Sequence, residues 1–465
     1  MALNKLTNPI MKELRDILSP GGLRTSPEDL TAYGYDAYIL EGRPDAVALP
    51  DSTDQVARVM KLADIHRIPV YPRGAGSNLS GAAVARAGGI VLCLTHMDRI
   101  LKIDKDNRVA DIEPGVVVAD LQKAVEEVRL FYPPDPGSQS VATMGGAVMM
   151  NAGGMRGVKY GVTHDYLLGM EVVLPTGEVM ETGSRMAKNV AGYDLTHLIC
   201  GSEGTLAVAT RITVRLLPKP EARHTLQAFY PVLDDAARTV AAIISAGIVP
   251  CTLELMDRTL IRALEDWFHL GIPTEAEAVL LIEVDGEQAA VDLQAPMLEA
   301  FCRDHGAHQV QVAGSAAERE QIWAGRRSAF GALARIRPTC IIEDATVPVS
   351  LLPDAVQKIQ EIAGKYHLQI GIMAHAGDGN LHPTILVDER DRKEMERMER
   401  AFEEIVAYTM SVGGVLSGEH GIGSAKRRFL QMQVGSRALE IMRGIKQVLD
   451  PKGILNPGSF LDEEA

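Results

Sequence analysis

The chain lacks the spacings that build metal clusters and the runs that cross membranes. Its five cysteines, Cys93, Cys200, Cys251, Cys302 and Cys340, are scattered, and no two form Cys-x-x-Cys. That spacing argues against an iron–sulfur cluster or zinc ribbon held within this chain, and an odd, dispersed set reads as buried thiols in a reducing compartment. No stretch approaches the roughly 18 consecutive apolar residues of a membrane span, and the first residues carry no apolar signal-peptide core. The protein is therefore expected in the cytoplasm, attached to a membrane at most through partners. A positive balance is missing too: 47 Lys and Arg stand against 61 Asp and Glu, a net charge of −14. That disfavours nucleic acid and anionic membrane as main partners, while leaving room for an anionic substrate in a locally basic site. Internal repeats and low-complexity tracts are absent as well.

What is present is ample material for a core. Apolar residues make up 46% of 465 positions and charged residues 23%, with mean hydropathy near zero at +0.02. Such a length suits roughly two to four folded units.

Glycine-rich turns dominate the first half. Behind the apolar run Ile68-Pro69-Val70-Tyr71 comes Pro72-Arg73-Gly74-Ala75-Gly76-Ser77-Asn78-Leu79-Ser80-Gly81. Glycines at 74, 76 and 81 let backbone N–H groups approach an anion such as a diphosphate, although such turns also simply reverse a chain. Neither common phosphate template fits. Gly74-x-Gly76 has no third glycine at Rossmann spacing and no clear helix behind it, and there is no Gly-Lys-Ser/Thr. After the rigid turn Pro133-Pro134-Asp135-Pro136-Gly137-Ser138, residues 138–161 interleave Gly145-Gly146, Gly153-Gly154, Gly157 and Gly161 with Ser140, Thr143, Asn151 and Tyr160. A flexible linker is one reading. Richness in Met, Val and Ala with little charge favours a buried, tightly turned binding segment.

Periodicity places a helix at 8–18, a capping-box start at Ser52-Thr53-Asp54-Gln55 leading to a helix up to His66, and a helix at 118–128. Strands are expected at 90–94, 109–118, in the hairpin 170–181 and at 207–217, with Pro218-Lys219-Pro220 as a boundary. From 225 the pattern becomes strand–helix–strand twice over, up to 312, a ferredoxin-like α+β arrangement. A helix over 317–336 carries Trp323, Arg326 and Arg327, and 341–347 is extended. The strands 369–375 and 381–386 form a hairpin, and a helix around 395–409 ends at Gly413-Gly414.

Chemistry concentrates in two late motifs, His375-Ala-Gly-Asp-Gly-Asn-Leu-His382 and Ser417-Gly-Glu-His-Gly-Ile-Gly423. The hairpin brings both imidazoles close together, and Glu419 lies in a second glycine-rich turn. Two imidazoles and a carboxylate are a common divalent-metal set with positions left for substrate; the alternative is two hydrogen-bonded structural histidines. His420, beside a ligating Glu419, would point at whatever occupies the open face, a place for a general base; a surface histidine in a glycine-rich turn is the alternative and otherwise the more frequent case. Arg326, at helical spacing from Trp323, could pair bidentately with a carboxylate, but from the residues alone a surface ion pair is the favoured reading.

Over nearly its whole length the chain resembles the family of FAD-linked D-2-hydroxyacid dehydrogenases, which includes glycolate oxidase flavoprotein subunits and D-lactate dehydrogenases, of the vanillyl-alcohol-oxidase type. The resemblance rests on 72–81, Pro134-Asp-Pro-Gly-Ser138, Gly145-Gly146, Asn151-Ala-Gly-Gly154, Lys159-Tyr-Gly161, Gly192-Tyr-Asp-Leu195, Gly201-Ser-Glu-Gly-Thr-Leu206, the two histidine motifs and Leu455-Asn-Pro-Gly458. It implies an α+β fold with an N-terminal helical extension (1–41) and a two-subdomain FAD-binding domain (42–220). A ferredoxin-like substrate or cap domain (221–415) and a C-terminal helical return segment (416–465) would follow. By the same resemblance Arg73, Gly74, Ala75, Gly76, Ser77, Asn78, Ser80 and Gly81 take the FAD diphosphate. Pro136, Ser138, Thr143, Gly145, Gly146, Asn151, Gly153, Gly154, Tyr160 and Gly161 wrap the cofactor. Glu203, Gly204 and Val208 lie toward the adenine, and Asn456 comes back near the flavin ring. His375, His382 and Glu419 match metal ligands, His420 the base and Arg326 a substrate-carboxylate contact.

The implied reaction is oxidation of a short D-2-hydroxy acid, D-lactate or glycolate, to the 2-oxo acid by hydride transfer to flavin N5. The divalent metal would be Fe2+, Zn2+ or Mn2+. Ser77 and Asn78 stand where some relatives of the fold attach flavin through a histidine, so FAD is expected to be non-covalent. Ile342, before Glu343-Asp344, stands where relatives acting on 2-hydroxyglutarate place a lysine, which argues for a monocarboxylate. Electrons would leave to an electron-transferring flavoprotein or to iron–sulfur or flavin partner subunits, and the acidic surface would suit a basic partner. An FAD oxidase of another alcohol class and an electron-relay flavoprotein subunit without substrate chemistry are the alternatives.

Overall fold

Apolar runs too short for helices, set between glycine-rich turns, become the strands of the first half. The computed structural model describes residues 3–461, and the chain divides into two compact units. One comprises the chain up to Gly153, Val162–Lys219 and the chain from Glu419 onward; the other comprises Gly154–Gly161 and Pro220–Gly418. No helix among the described residues is long and apolar enough to cross a membrane.

Among the described residues, the first unit contains a four-stranded sheet in the order Leu23–Arg24, Ala46–Ala48, Ile90–Cys93, Val70–Arg73. Its last three strands run parallel and bury Val70, Ile90, Leu92 and Ala46 against Val56, Val59, Met60 and Ala63, one face of the helix Thr53–His66. Such near-continuous apolar strands are what a parallel sheet covered by helices requires. The C-terminal chain returns to this sheet. Leu455 bridges Val70 in parallel, and Val70 N donates to Ile454 O while Asn456 N donates to Val70 O. A second, antiparallel sheet orders Ile100–Asp104, Val109–Ile112, Val208–Arg215, Leu167–Val173 and Val179–Gly183.

In the second unit an antiparallel sheet begins with the strands Gln309–Val312, Ala222–Tyr230, Ala278–Gly286 and Thr252–Asp257, in that order across the sheet. Numbered along the chain the order is fourth, first, third, second, the ferredoxin-like arrangement. The hairpin Gln369–His375 and Asn380–Val387 joins the free edge of Thr252–Asp257, and Thr339–Ile342 follows. The hairpin legible in the sequence is thus an extension of the ferredoxin-like sheet.

Some expectations change. Ser52 occupies the N-cap of Thr53–His66 without a side-chain bond. Gln55 Nε2 donates to Ser19 Oγ, 3.0 Å, and its Oε1 accepts from Asp51 N, so a tertiary contact replaces the capping box. Residues 138–161 hold helices at Met144–Met150 and Gly157–Tyr160. The first contains Gly145-Gly146 despite their poor propensity, because a Cβ at Gly145 would lie 2.7 Å from the Pro114 side chain. Helix Leu352–Tyr366 lies outside the elements read from the sequence, and Arg427–Leu449 falls within the helical return segment expected at 416–465. The second is broken at Gly435, φ +76°, which interrupts its periodicity.

Candidate active site

The glycine-rich loop after Val70–Arg73 is held from beneath by its own arginine. Arg73 Nη1 donates to Tyr35 O at 2.7 Å, and the guanidinium fills the space a Cβ at Gly76 would need, 2.0 Å away, where φ is +73°. Gly74 packs equally closely on Thr143, whose Oγ1 would sit 2.2 Å from an added Cβ. Thr143 also caps Met144–Met150 by accepting from Gly146 N. Gly74, Ala75, Gly76 and Ser77 keep accessible surface, as a backbone anion cradle must. Pro136 is buried and Ser138 partly so. Asn151, φ +51°, ends its helix and accepts from His164 N, and Val208 is buried opposite Val173.

Several residues expected around a cofactor serve the turn that carries His420. Asn78 Oδ1 accepts from Ser80 N and Ala82 N, and its Nδ2 donates to His420 O at 3.1 Å. Ser80 O accepts from Ser424 N and Ala425 N, and Gly81 O accepts from Ser424 Oγ. Glu203 accepts from Ile422 N and Gly423 N, both at 2.7 Å. Burial pushes its carboxyl up to about 7 against the opposing pull of those two N–H donors. Next to it Gly204, φ +67°, lies against the Pro72 ring. Asn456 Nδ2 ties Ala82 O and Glu203 O together. Gly153 comes within reach of Glu419, whose Oε2 would be 2.9 Å from an added Cβ.

In the second unit, strand alternation sorts polar from apolar residues. Register aligns Gln311, Gln227, Leu281, Glu254, His375, Asn380 and Thr346 as one rung across the sheet. Two residues along each strand, on the same face, the next rung runs Phe229, Val279, Met256, Met373 and His382. His375 and His382 therefore share a face, as a period of two demands. Their rings meet edge to face with centroids 4.9 Å apart, and a ring nitrogen of each lies within 4.8 Å of the other's.

Each imidazole is fixed through Nδ1. His375 Nδ1 lies 2.7 Å from Glu254 Oε1, and His382 Nδ1 lies 3.2 Å from Glu343 O, with Asp344 Oδ1 at 3.8 Å. A carbonyl accepts only, so His382 carries its proton on Nδ1. Glu254 also receives Arg326 Nε at 2.8 Å and Nη2 at 2.5 Å on Oε2. Burial by itself would push this carboxyl up; the His375 imidazole and the Arg326 guanidinium outweigh it and hold Glu254 below its ordinary value. An ionised Glu254 makes His375 the donor as well. In their neutral forms both rings then keep an Nε2 lone pair, the donor chemistry a divalent cation uses. On this face a cavity of about 240 Å³ is lined in part by Gln311, Gln227, Leu281, Met256 and Arg326.

The expected site residues distribute unevenly between the units. His375, His382 and Arg326 come together in the second. Glu419 and His420 belong to the first, one and two residues beyond Gly418. Gly154, Tyr160 and Gly161, expected to wrap a cofactor, belong to the second, where Tyr160 Oη donates to Asp285 at 2.8 Å and Lys159 Nζ to the same carboxylate. Gly161, φ +76°, closes this short helix through Gly157 O. Sequence reasoning missed Glu254 and Asp344. Both are buried, and Asp344 receives Ser417 Oγ. The signal for Glu254 was a lone acid at a central position of the apolar strand Thr252-Leu-Glu-Leu-Met-Asp257; Asp344 gave none.

Residues 219–460 match the family described as FAD linked oxidases, C-terminal domain, and residues 44–183 match FAD binding domain. The chain is 45% identical over 461 residues to the glycolate oxidase subunit GlcD of Bacillus subtilis, covering 99% of this chain and 98% of that protein. It is 35% identical over 470 residues to the D-lactate dehydrogenase of Anaerostipes hadrus, covering 98% of each. Among solved structures, p-cresol methylhydroxylase with substrate bound superposes with a TM-score of 0.81 at 18% identity, covering 99% of this chain and 98% of that one.

Proposed function

The chain belongs to the FAD-linked oxidases and has the vanillyl-alcohol-oxidase type of fold, and from that premise we propose that it oxidises a short D-2-hydroxy acid, D-lactate or glycolate, to the 2-oxo acid with non-covalent FAD and a divalent metal. The observation that carries the metal is the paired Nδ1 anchoring of His375 and His382. Glu419 completes the ligand set. Gly418 just before it backs onto Asn380, whose Nδ2 would be 2.6 Å from an added Cβ, and Asn380 is the cross-strand partner of His375. Names of relatives acting on glycolate and D-lactate support the substrate class. Buried Ile342, rather than a cation, favours one carboxylate over two.

FAD, when bound, supplies the hydride acceptor for the substrate's C2 hydrogen, seated by the loop 73–81 and the segments around 136–161 and 203–208. The metal, when bound, supplies a Lewis acid that makes the 2-hydroxyl easier to deprotonate. His420 takes that proton, its backbone fixed by Asn78 and its turn by Glu203. Arg326, with Nε and Nη2 on Glu254 and one Nη1 proton directed at Met373 Sδ, keeps its second Nη1 proton for the substrate carboxylate. The substrate loses one proton and one hydride, and its C2–O bond becomes a carbonyl. Electrons then pass to a partner, an electron-transferring flavoprotein or flavin or iron–sulfur subunits, in keeping with a relative named as a subunit.

The test is anaerobic mixing of the holoprotein with a panel of D- and L-2-hydroxy acids, with metal analysis on the same sample. Bleaching of flavin absorbance by D-lactate or glycolate, without nicotinamide and with a bound divalent metal, is the expected result. No bleaching by any short 2-hydroxy acid overturns the proposal.

A further inference from the structure

Resting on the metal reading above, we propose that Glu254 is a positioning residue that sets the tautomer of His375 and couples it to Arg326. Glu254 is fully buried at the centre of the sheet, and its two oxygens are divided. Oε1 faces His375 Nδ1 at 2.7 Å, and Oε2 takes Arg326 Nε and Nη2 at 2.8 and 2.5 Å. His375 stands directly across the strand pair from Glu254, so the contact is built into the register.

Arg326 neutralises the carboxylate's charge, which lets an anion persist at this depth. The carboxylate in turn fixes the tautomer of the neutral His375: proton on Nδ1, lone pair on Nε2. A carboxylate behind a ligating imidazole also strengthens its basicity and fixes the ring's orientation. The other histidine is held differently, on the carbonyl of Glu343, so the two are separable by mutation. Because Arg326 shares the same carboxylate, the group that contacts substrate and the group that holds metal are oriented by one side chain.

The discriminating variant is Glu254→Gln. The guanidinium has donors only, so it turns the carboxamide oxygen toward itself and the NH2 toward His375 Nδ1. Nδ1 must then accept, the proton moves to Nε2, and the ring cannot ligate. Zinc and manganese affinity of the purified FAD-loaded protein, measured by competition with a chromophoric chelator, should fall at least tenfold. Flavin content and the far-UV spectrum should be unchanged. Glu254→Gln combined with Arg326→Met frees the carboxamide to turn its oxygen to His375 and should restore most of the metal affinity, although the substrate contact is gone. Nitrogen-15 shifts of labelled histidine should report Nδ1–H in the wild type and Nε2–H in the single variant.

Unchanged metal affinity in Glu254→Gln, or no recovery in the double variant, overturns the assignment. A wild-type protein that binds neither metal overturns the metal reading itself, a distinct result.

Discussion

Replacing Gly423 by alanine should break the turn that holds His420, and a second glycine separates the causes. Gly423 has φ +50°, and an added Cβ would lie 2.1 Å from Ser80 O. That carbonyl cannot swing away, since it accepts from both Ser424 N and Ala425 N. Ordinary contact begins near 3.4 Å, so the turn must retreat by about 1.3 Å. The bonds from Ile422 N and Gly423 N to Glu203, both 2.7 Å, would stretch to about 4 Å, beyond hydrogen-bonding range. Left-handed backbone costs alanine about 1 kcal/mol. Loss of two donors to a buried carboxylate adds about 2–4 kcal/mol. Gly453→Ala is the control: φ is +65° and nothing lies within 4 Å of the added Cβ, so it bears only the backbone term of about 1 kcal/mol. Urea unfolding at pH 8, followed by flavin fluorescence, should place Gly423→Ala about 2–4 kcal/mol below Gly453→Ala. Its flavin reduction by substrate should fall about a hundredfold, the usual effect of an ångström-scale misplacement. Equal stability of the two variants, or reduction within twofold of wild type, would refute the reasoning.

His420→Asn should leave FAD content intact and slow flavin reduction by roughly 10²–10⁴-fold; an unchanged rate in stopped flow would favour the electron-relay alternative. For Glu203 the sign of the pH effect follows from its raised folded value, about 7 against an ordinary 4.5. The folded state keeps a proton that the unfolded chain releases, so this contribution is fully present below pH 4.5 and lost as pH rises through 7. The loss amounts to about 3 kcal/mol, and the unfolding free energy of wild type minus Glu203→Gln should decline across that window; a flat difference would show that Glu203 is not so perturbed. Tyr160→Phe removes a hydroxyl held by Asp285 and should lower the stability of the second unit by about 1–2 kcal/mol without releasing FAD. Flavin lost on gel filtration would instead make that hydroxyl a cofactor contact.

Much of the fold was legible because its signals are local. Alternation wrote the strands Thr252–Asp257 and Gln369–His375, and the two histidine motifs were set off by glycines that only turns require. The spacing of His375 and His382 across a short hairpin already implied that their imidazoles lie close together, and the register of the pair puts them on one face. Family motifs carried the cofactor and the chemistry. The helix at Met144–Met150 was hidden by glycine, whose low propensity is overridden at Gly145 by close packing on Pro114; in the C-terminal helix expected from the family resemblance, glycine is expressed at Gly435 as a break.

Tertiary structure decided what no spacing encodes. Strand order placed the hairpin against Thr252–Asp257, and that pairing brought Glu254 to His375 across 121 positions of sequence. The helix holding Arg326 closed on the same carboxylate across 72. Glu203, read from its motif as a cofactor residue, holds backbone 219 and 220 positions away. Sequence determined which groups could react, because side-chain chemistry and local turns are properties of short stretches. Which proton each histidine carries, and which acid holds it, depends on buried partners that meet only when the sheet forms.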